Sequence, residues 1–180
     1  MKNLEEKQIS RDEIFDGEVL HLVRDKILLP NGKTSTREMC LHVGASAVIP
    51  ILEDGRVIME HQYRYAQGRE YLEIPAGKLN YSEEDPLLAA KRELREETGA
   101  IAEKWTYLGR IDTTPALMNE QIHLYLAEGI TFGERELDYD EFLDVELIPL
   151  STLCDMVTSG EIKDAKTQIA VLKAARLLKI

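Results

Sequence analysis

Apolar and polar positions change period several times along the chain, and each change marks an element. From Ile14 to His42 apolar residues alternate with polar ones, the period of a half-buried strand, and Pro30-Asn31-Gly32 interrupts them as a turn between two strand-like runs. Residues 1–43 are therefore expected to form a small antiparallel β-subdomain, followed without a linker by a larger domain over residues 44–180. Gly44 to Leu52 is almost continuously apolar and reads as a buried strand; Glu53-Asp54-Gly55 turns the chain, and Arg56 to Tyr65 carries it back. A shorter strand, Tyr71 to Ile74, leads into Pro75-Ala76-Gly77. Trp105 to Ile111, Gln121 to Ala127 and Phe142 to Ile148 read as further strands, separated by the loop Asp112 to Glu120 and a polar, acidic stretch from Gly133 to Glu141. The period lengthens to that of a helix over Asp164 to Lys179, with a shorter helix over Leu150 to Ser159. No internal repeat or low-complexity segment interrupts this order.

One stretch carries the chemistry. Gly77 to Ala100 opens as a loop and closes as a helix on which Glu93, Glu96 and Glu97, three and four residues apart, share one arc. Leu87, Ala90 and Leu94 form the adjoining apolar stripe, so Glu93 and Glu97 lie at the edge of the buried face. Partly desolvated neighbouring anions raise one another's pKa unless a cation neutralises them, and an all-oxygen cluster suits Mg²⁺ or Mn²⁺ better than zinc. Arg92 is placed to brace Glu96, Lys91 and Arg95 to point outward, and Gly99 to end the helix in the left-handed conformation.

Composition narrows the partners. A chain of 180 residues with 44% apolar residues suits one domain, or one with a small appendage. Its charge of −11, from 33 acidic against 22 basic residues, argues against general nucleic-acid or membrane-surface binding. Cys40 and Cys154 are too few for a disulfide framework or zinc site and are expected to be buried free thiols. No apolar run reaches membrane-spanning length and the N-terminus has no signal-peptide core, so a cytoplasmic location is expected.

The run from Gly77 through Glu83 or Glu84 to Arg92-Glu93-Leu94-Arg95-Glu96-Glu97-Thr98-Gly99-Ala100 resembles the signature of the Nudix hydrolases. The spacing departs from the family pattern by one residue before Arg92, read as an insertion in the loop with Glu84 as the matching acid. The resemblance extends through Arg37-Glu38, His42 to Ala45, Gln62 to Tyr65, Leu72-Glu73-Ile74-Pro75-Ala76-Gly77, Pro115 sixteen residues after Gly99, and Glu120 to Leu126; these look like the ADP-ribose pyrophosphatase branch. It implies an α/β fold, an α/β/α sandwich around a mixed β-sheet, and a homodimer in which the N-terminal β-subdomain helps build the partner's site; otherwise that subdomain covers a sheet edge.

The resemblance also implies roles. Glu93, Glu96, Glu97 and the Ala76 carbonyl would hold Mg²⁺ or Mn²⁺, and Arg37, Arg64, Glu73, Pro115 and Glu120 would bind substrate. Glu141, with Asp140 second, would be the general base, unless the segment Leu137 to Phe142 is only a solvated acidic loop. Tyr63 and Tyr65 either stack on the base or, as alternating strand aromatics, pack in the core. The implied reaction is hydrolysis of ADP-ribose to AMP and ribose 5-phosphate. The alternatives are cleavage of another nucleoside diphosphate sugar, such as a GDP-hexose or ADP-glucose, and nucleotide-sugar sensing without cleavage.

Overall fold

A computed structural model describes residues 3–137 and 139–180, so Asp138 of the acidic loop lies outside the described residues. Its chain divides into two units, residues 1–44 with 112–120 and residues 45–111 with 121–180. In the first, β1 (Lys7–Asp16), β2 (His21–Leu28) and β3 (Thr34–Leu41) form an antiparallel meander. Pro30-Asn31-Gly32 makes the turn between β2 and β3, where Gly32 has φ +82° and donates to the Leu29 carbonyl at 2.9 Å. Val23, Asp25 and Ile27 of β2 point to the buried side, and Arg11 of β1 grips Asp25 through two 2.7 Å bonds. β1 starts well before Ile14, although it has no apolar alternation and every residue in it is exposed. Backbone pairing to β2 and the Arg11–Asp25 contact define it instead. The segment Asp112–Glu120 joins this unit through Cys40 N–H to the Leu117 carbonyl at 2.8 Å and His42 N–H to Asn119 Oδ1 at 2.7 Å.

The second unit contains β4 (Ala45–Pro50), β5 (Arg56–Arg64), a short 3₁₀ turn (Tyr65–Gln67), β6 (Arg69–Glu73) and β7 (Ala76–Lys78). There follow α1 (Pro86–Thr98), β8 (Ala100–Asp112), β9 (Gln121–Phe132), β10 (Leu143–Pro149), α2 (Leu150–Thr158) and α3 (Ala165–Leu178). One sheet runs β7-β4-β9-β8 and is mixed, β4 being antiparallel to β7 and parallel to β9; the other, β10-β5-β6, is antiparallel. β8 and β9 both extend beyond their apolar runs, β8 beginning at Ala100 and β9 reaching Phe132, because they pair with each other there.

The period of two decides which helix covers which face. Ala45, Ala47 and Ile49 of β4, with Ile122, Leu124 and Leu126 of β9 and Val57 and Met59 of β5, pack with Leu150 and Leu153 of α2 and Ala170, Val171 and Ala174 of α3. The intervening Val48, Tyr125, Ala127 and Ile58 pack with Ala90 and Leu94 of α1. Helices thus cover both faces, the expected sandwich, and a wholly buried leucine such as Leu94 contributes about 2 kcal/mol of transfer free energy. Asp85 caps α1 by accepting from Leu87 N–H at 2.9 Å, Pro86 occupies its first turn, and Gly99 ends it at φ +71°, where a Cβ would sit 2.8 Å from the Gly133 carbonyl oxygen. Cys40 and Cys154 are free thiols but only half-buried. Among the described residues no helix is long and apolar enough to cross a membrane.

Candidate active site

The site is laid out by the shortest strand. Pairing of Ala45, Ser46 and Ala47 with Lys78, Gly77 and Ala76 fixes β7 to a strand whose every residue is buried. Ser46 Oγ donates to the Pro86 carbonyl at 2.7 Å, tying the start of α1 to the same strand. One carboxylate oxygen of Glu97 accepts from Ala76 N–H at 2.9 Å, so helix and β7 are pinned together by a side chain only 3% exposed. A Cβ on Gly77 would lie 2.1 Å from the Glu93 carboxyl carbon, and only glycine leaves that carboxylate where it is.

Arg92 organises the outer part of the cluster. Its Nη1 donates to Glu93 at 2.6 Å and reaches Glu96 at 3.4 Å, and Nη2 donates to the Lys78 carbonyl at 3.2 Å. The main contact is therefore with Glu93 and not, as the helical spacing suggested, with Glu96, whose side chain is partly exposed. Glu84, in the segment before the helix, accepts from Asn80 N–H at 2.6 Å and approaches Arg92 at 3.7 Å. Lys91 lies over the Trp105 ring and Arg95 donates to Glu136, both away from the cluster.

Sequence reasoning missed Glu60. It sits on β5, opposite Glu73 across the ladder, is 3% exposed, and its Oε1 has no hydrogen-bond partner among the described residues. Burial, then the charge of Glu141, pushes its pKa up to about 8. Glu97 is likewise driven well above the usual carboxylate range by burial and by Glu60, Glu93 and Glu141. Burial also raises Glu93 in spite of Arg92. Glu141 thus acts electrostatically on all three, while Asp140 is exposed. A signal for Glu60 was present: a charge inside the apolar run Val57-Ile58-Met59, at a position that alternation assigns to the same side as Ile58, toward α1.

The predicted substrate residues are differently engaged. Arg64 donates Nε and Nη2 to both oxygens of Glu73 at 2.8 Å, and Lys166 adds a contact to Glu73 and one to Asp164 at 3.1 Å. Burial alone would raise Glu73, but Arg64 and Lys166 outweigh it and hold the carboxylate below its usual pKa. Arg37, in the first unit, donates to Glu6 and, at 2.9 Å, to the Thr36 carbonyl. Pro115 and Glu120 belong to that unit too; Pro115 is exposed, and Glu120 accepts from Thr113 Oγ1 at 2.6 Å and faces His42 at 3.7 Å. Tyr63 and Tyr65 are 56% and 91% exposed, which removes the core-packing reading. Tyr63 instead lines a recess of about 530 Å³ with His61, Glu70, Leu137, Glu141 and Phe142.

Among the described residues no three His, Cys, Asp or Glu side chains converge as a ready-made ion site, because Arg92 holds Glu93 and Glu96 faces outward. The donor set nevertheless fits a hard divalent cation. Its ligand atoms are carboxylate oxygens, its buried charge is in surplus, and Glu60 Oε1 lacks a partner.

The fold and sequence are similar to those of known proteins. A crystal structure of an ADP compounds hydrolase, 20% identical, superposes with a TM-score of 0.86 over 99% of this chain and 97% of that one, which shows the shared fold. The chain is 44% identical to an ADP-ribose pyrophosphatase of Bacillus subtilis over 95% of its length and 93% of the relative's. It is 43% identical to a methanol dehydrogenase activator of Bacillus methanolicus over 94% and 92%. With the NUDIX domain model also matching residues 41–169, which include the whole carboxylate cluster, the chain belongs to the Nudix hydrolase family.

Proposed function

We propose that this protein hydrolyses the pyrophosphate bond of ADP-ribose to AMP and ribose 5-phosphate, with Mg²⁺ or Mn²⁺ as cofactor. The observation that carries the reading is Glu97, buried at 3% exposure among other acids and hydrogen-bonded to Ala76. The 44% identity to the Bacillus subtilis enzyme supports the choice of substrate. Glu93, Glu96, Glu97 and the Ala76 carbonyl would hold the cation, Glu93 turning from Arg92 to do so. A divalent ion there neutralises phosphoryl oxygens and acidifies water.

The chain's own groups do the rest. Glu141 takes a proton from the attacking water, which adds to phosphorus as the bond to the bridging oxygen breaks; the departing phosphate keeps that oxygen and its electron pair. Arg64, oriented by Glu73, and Arg37 bind phosphate or ribose oxygens through their guanidinium forks, and Pro115 and Glu120 shape the substrate loop. Tyr63 in its recess offers a ring for the base. We infer a homodimer from the exposed apolar side chains Ile9, Phe15, Val19 and Leu20 of the N-terminal β-subdomain, residues 1–43, and a cytoplasmic location.

Incubation with ADP-ribose and Mg²⁺ should release AMP and ribose 5-phosphate, resolved by chromatography, and kcat/KM should be highest for ADP-ribose among nucleoside diphosphate sugars. A higher kcat/KM for a GDP-hexose or ADP-glucose would move the assignment to that sugar. Binding without AMP release would make the protein a sensor.

A further inference from the structure

Glu60 lies outside the signature and has no role in the reaction as described. It is also the least satisfied acid near the cluster. Its carboxylate is 3% exposed, and Oε1 accepts from no donor among the described residues. The cations whose charge bears on Glu60 bond elsewhere: Arg135 donates to the Leu143 carbonyl at 2.7 Å, and Lys166 bonds to Glu73 and Asp164. Glu60 faces Glu73 across the β5–β6 ladder, so cross-strand packing adds a further acid and no cation. Glu97 accepts from Ala76 N–H, and Glu60 is the acid whose charge bears most strongly on it.

Two buried carboxylates that bear on each other's charge, one with an oxygen that accepts from no donor among the described residues, are costly to keep charged without a cation. A divalent cation held by these carboxylates would lower that cost, because it supplies charge and ligand contacts beyond those of Arg135, Lys166 and the Ala76 N–H. We propose that Glu60 belongs to the cation site, its carboxylate on β5 sharing with Glu97 on α1 the charge of the bound divalent ion. The inference rests on the metal-dependent reading above and adds to it a ligand group from a strand that the helical signature does not include.

Mn²⁺ titrated into the full-length protein, with bound ion measured calorimetrically and free ion by paramagnetic resonance, tests this without turnover. Glu60→Gln should weaken Mn²⁺ binding by about ten- to a hundredfold, the range for groups that support a metal's ligands. Glu60→Asp, which keeps the charge on a shorter arm, should recover part of that loss. Glu97→Gln provides the comparison. If Glu97→Gln weakens binding and Glu60→Gln binds as the unaltered protein does, with its circular dichroism preserved, Glu60 is only a core acid and the inference fails. If the unaltered protein takes up no Mn²⁺ at millimolar concentration, the metal-dependent reading fails first. Should Glu60→Gln not fold, Glu60→Asp decides: binding weaker than that of the unaltered protein supports the inference, and equal binding overturns it.

Discussion

In the metal-free protein, the burial of Glu60 should make stability fall as the pH rises, and Glu60→Gln should make that fall shallower, Glu97 and Glu93 supplying the remainder. An unfolded glutamate releases its proton near pH 4.5, whereas Glu60 in the folded chain keeps its own until about pH 8. Between those values the folded chain binds more protons than the unfolded one. Stability from this group is therefore complete at the acid end and is lost as the pH climbs through 8. The gap between the two pKa values, at 1.36 kcal/mol per unit, sets a ceiling of roughly 5 kcal/mol. Relaxation around a buried charge lowers this to about 2–3 kcal/mol, still a large share of the 5–15 kcal/mol typical of a domain. Urea unfolding in excess chelator at pH 5, 6, 7 and 8 gives the profile, and the difference between the two proteins cancels groups common to both. His123, held low by burial and Arg110, is one such group. Parallel profiles for the two proteins would refute the argument, because the pH-dependent cost would then lie elsewhere.

Other outcomes follow from single contacts. Gly77→Ala should leave the melting temperature within a few degrees yet cut kcat at least about tenfold, because the new methyl meets only the far end of Glu93, which can swing away but then no longer ligates; melting curves and steady-state kinetics check both. Glu141→Gln should lower kcat by about 10²–10⁴-fold at saturating Mg²⁺, as expected of a general base, and Asp140→Asn should not; near-normal turnover in the first would exclude Glu141. Lys166→Met strips one of two cations from buried Glu73 and should destabilise by about 2–3 kcal/mol in urea unfolding, less than a fully broken buried pair because Arg64 remains.

The parts of the fold that were legible in the sequence are those with a local cause. The Leu87, Ala90 and Leu94 stripe and Gly99, with the Asp85 cap and Pro86, specify α1 within fifteen residues of chain, and the two-residue period of a strand fixes which residue of β4 faces which helix layer. β1 could not be read the same way, since an exposed strand needs no apolar period and exists through its pairing with β2. Glu73 and Lys166 stand ninety-three residues apart, and nothing local announces their contact. Tyr63 and Tyr65 show the ambiguity of an aromatic in a strand, because the period tells which side it takes but not whether that side is covered. The spacing of Glu93, Glu96 and Glu97 was fully local. Which of them Arg92 would grip depended on rotamers, and helical geometry allowed either neighbour.

The pairing of β7 with β4 has a kinetic consequence. Amide protons at Ala47 and on the Ala76–Lys78 segment lie in or against the most deeply buried strand of the sheet, where exchange with solvent requires that the whole unit open. Tyr139 and Asp140, in an exposed turn, should exchange through small local openings. During denaturant titration the loop bearing Glu141 would then loosen first and turnover would fade early. The floor around Ala76 would persist to the global transition, and the capacity to bind an ion would outlast the capacity to use it.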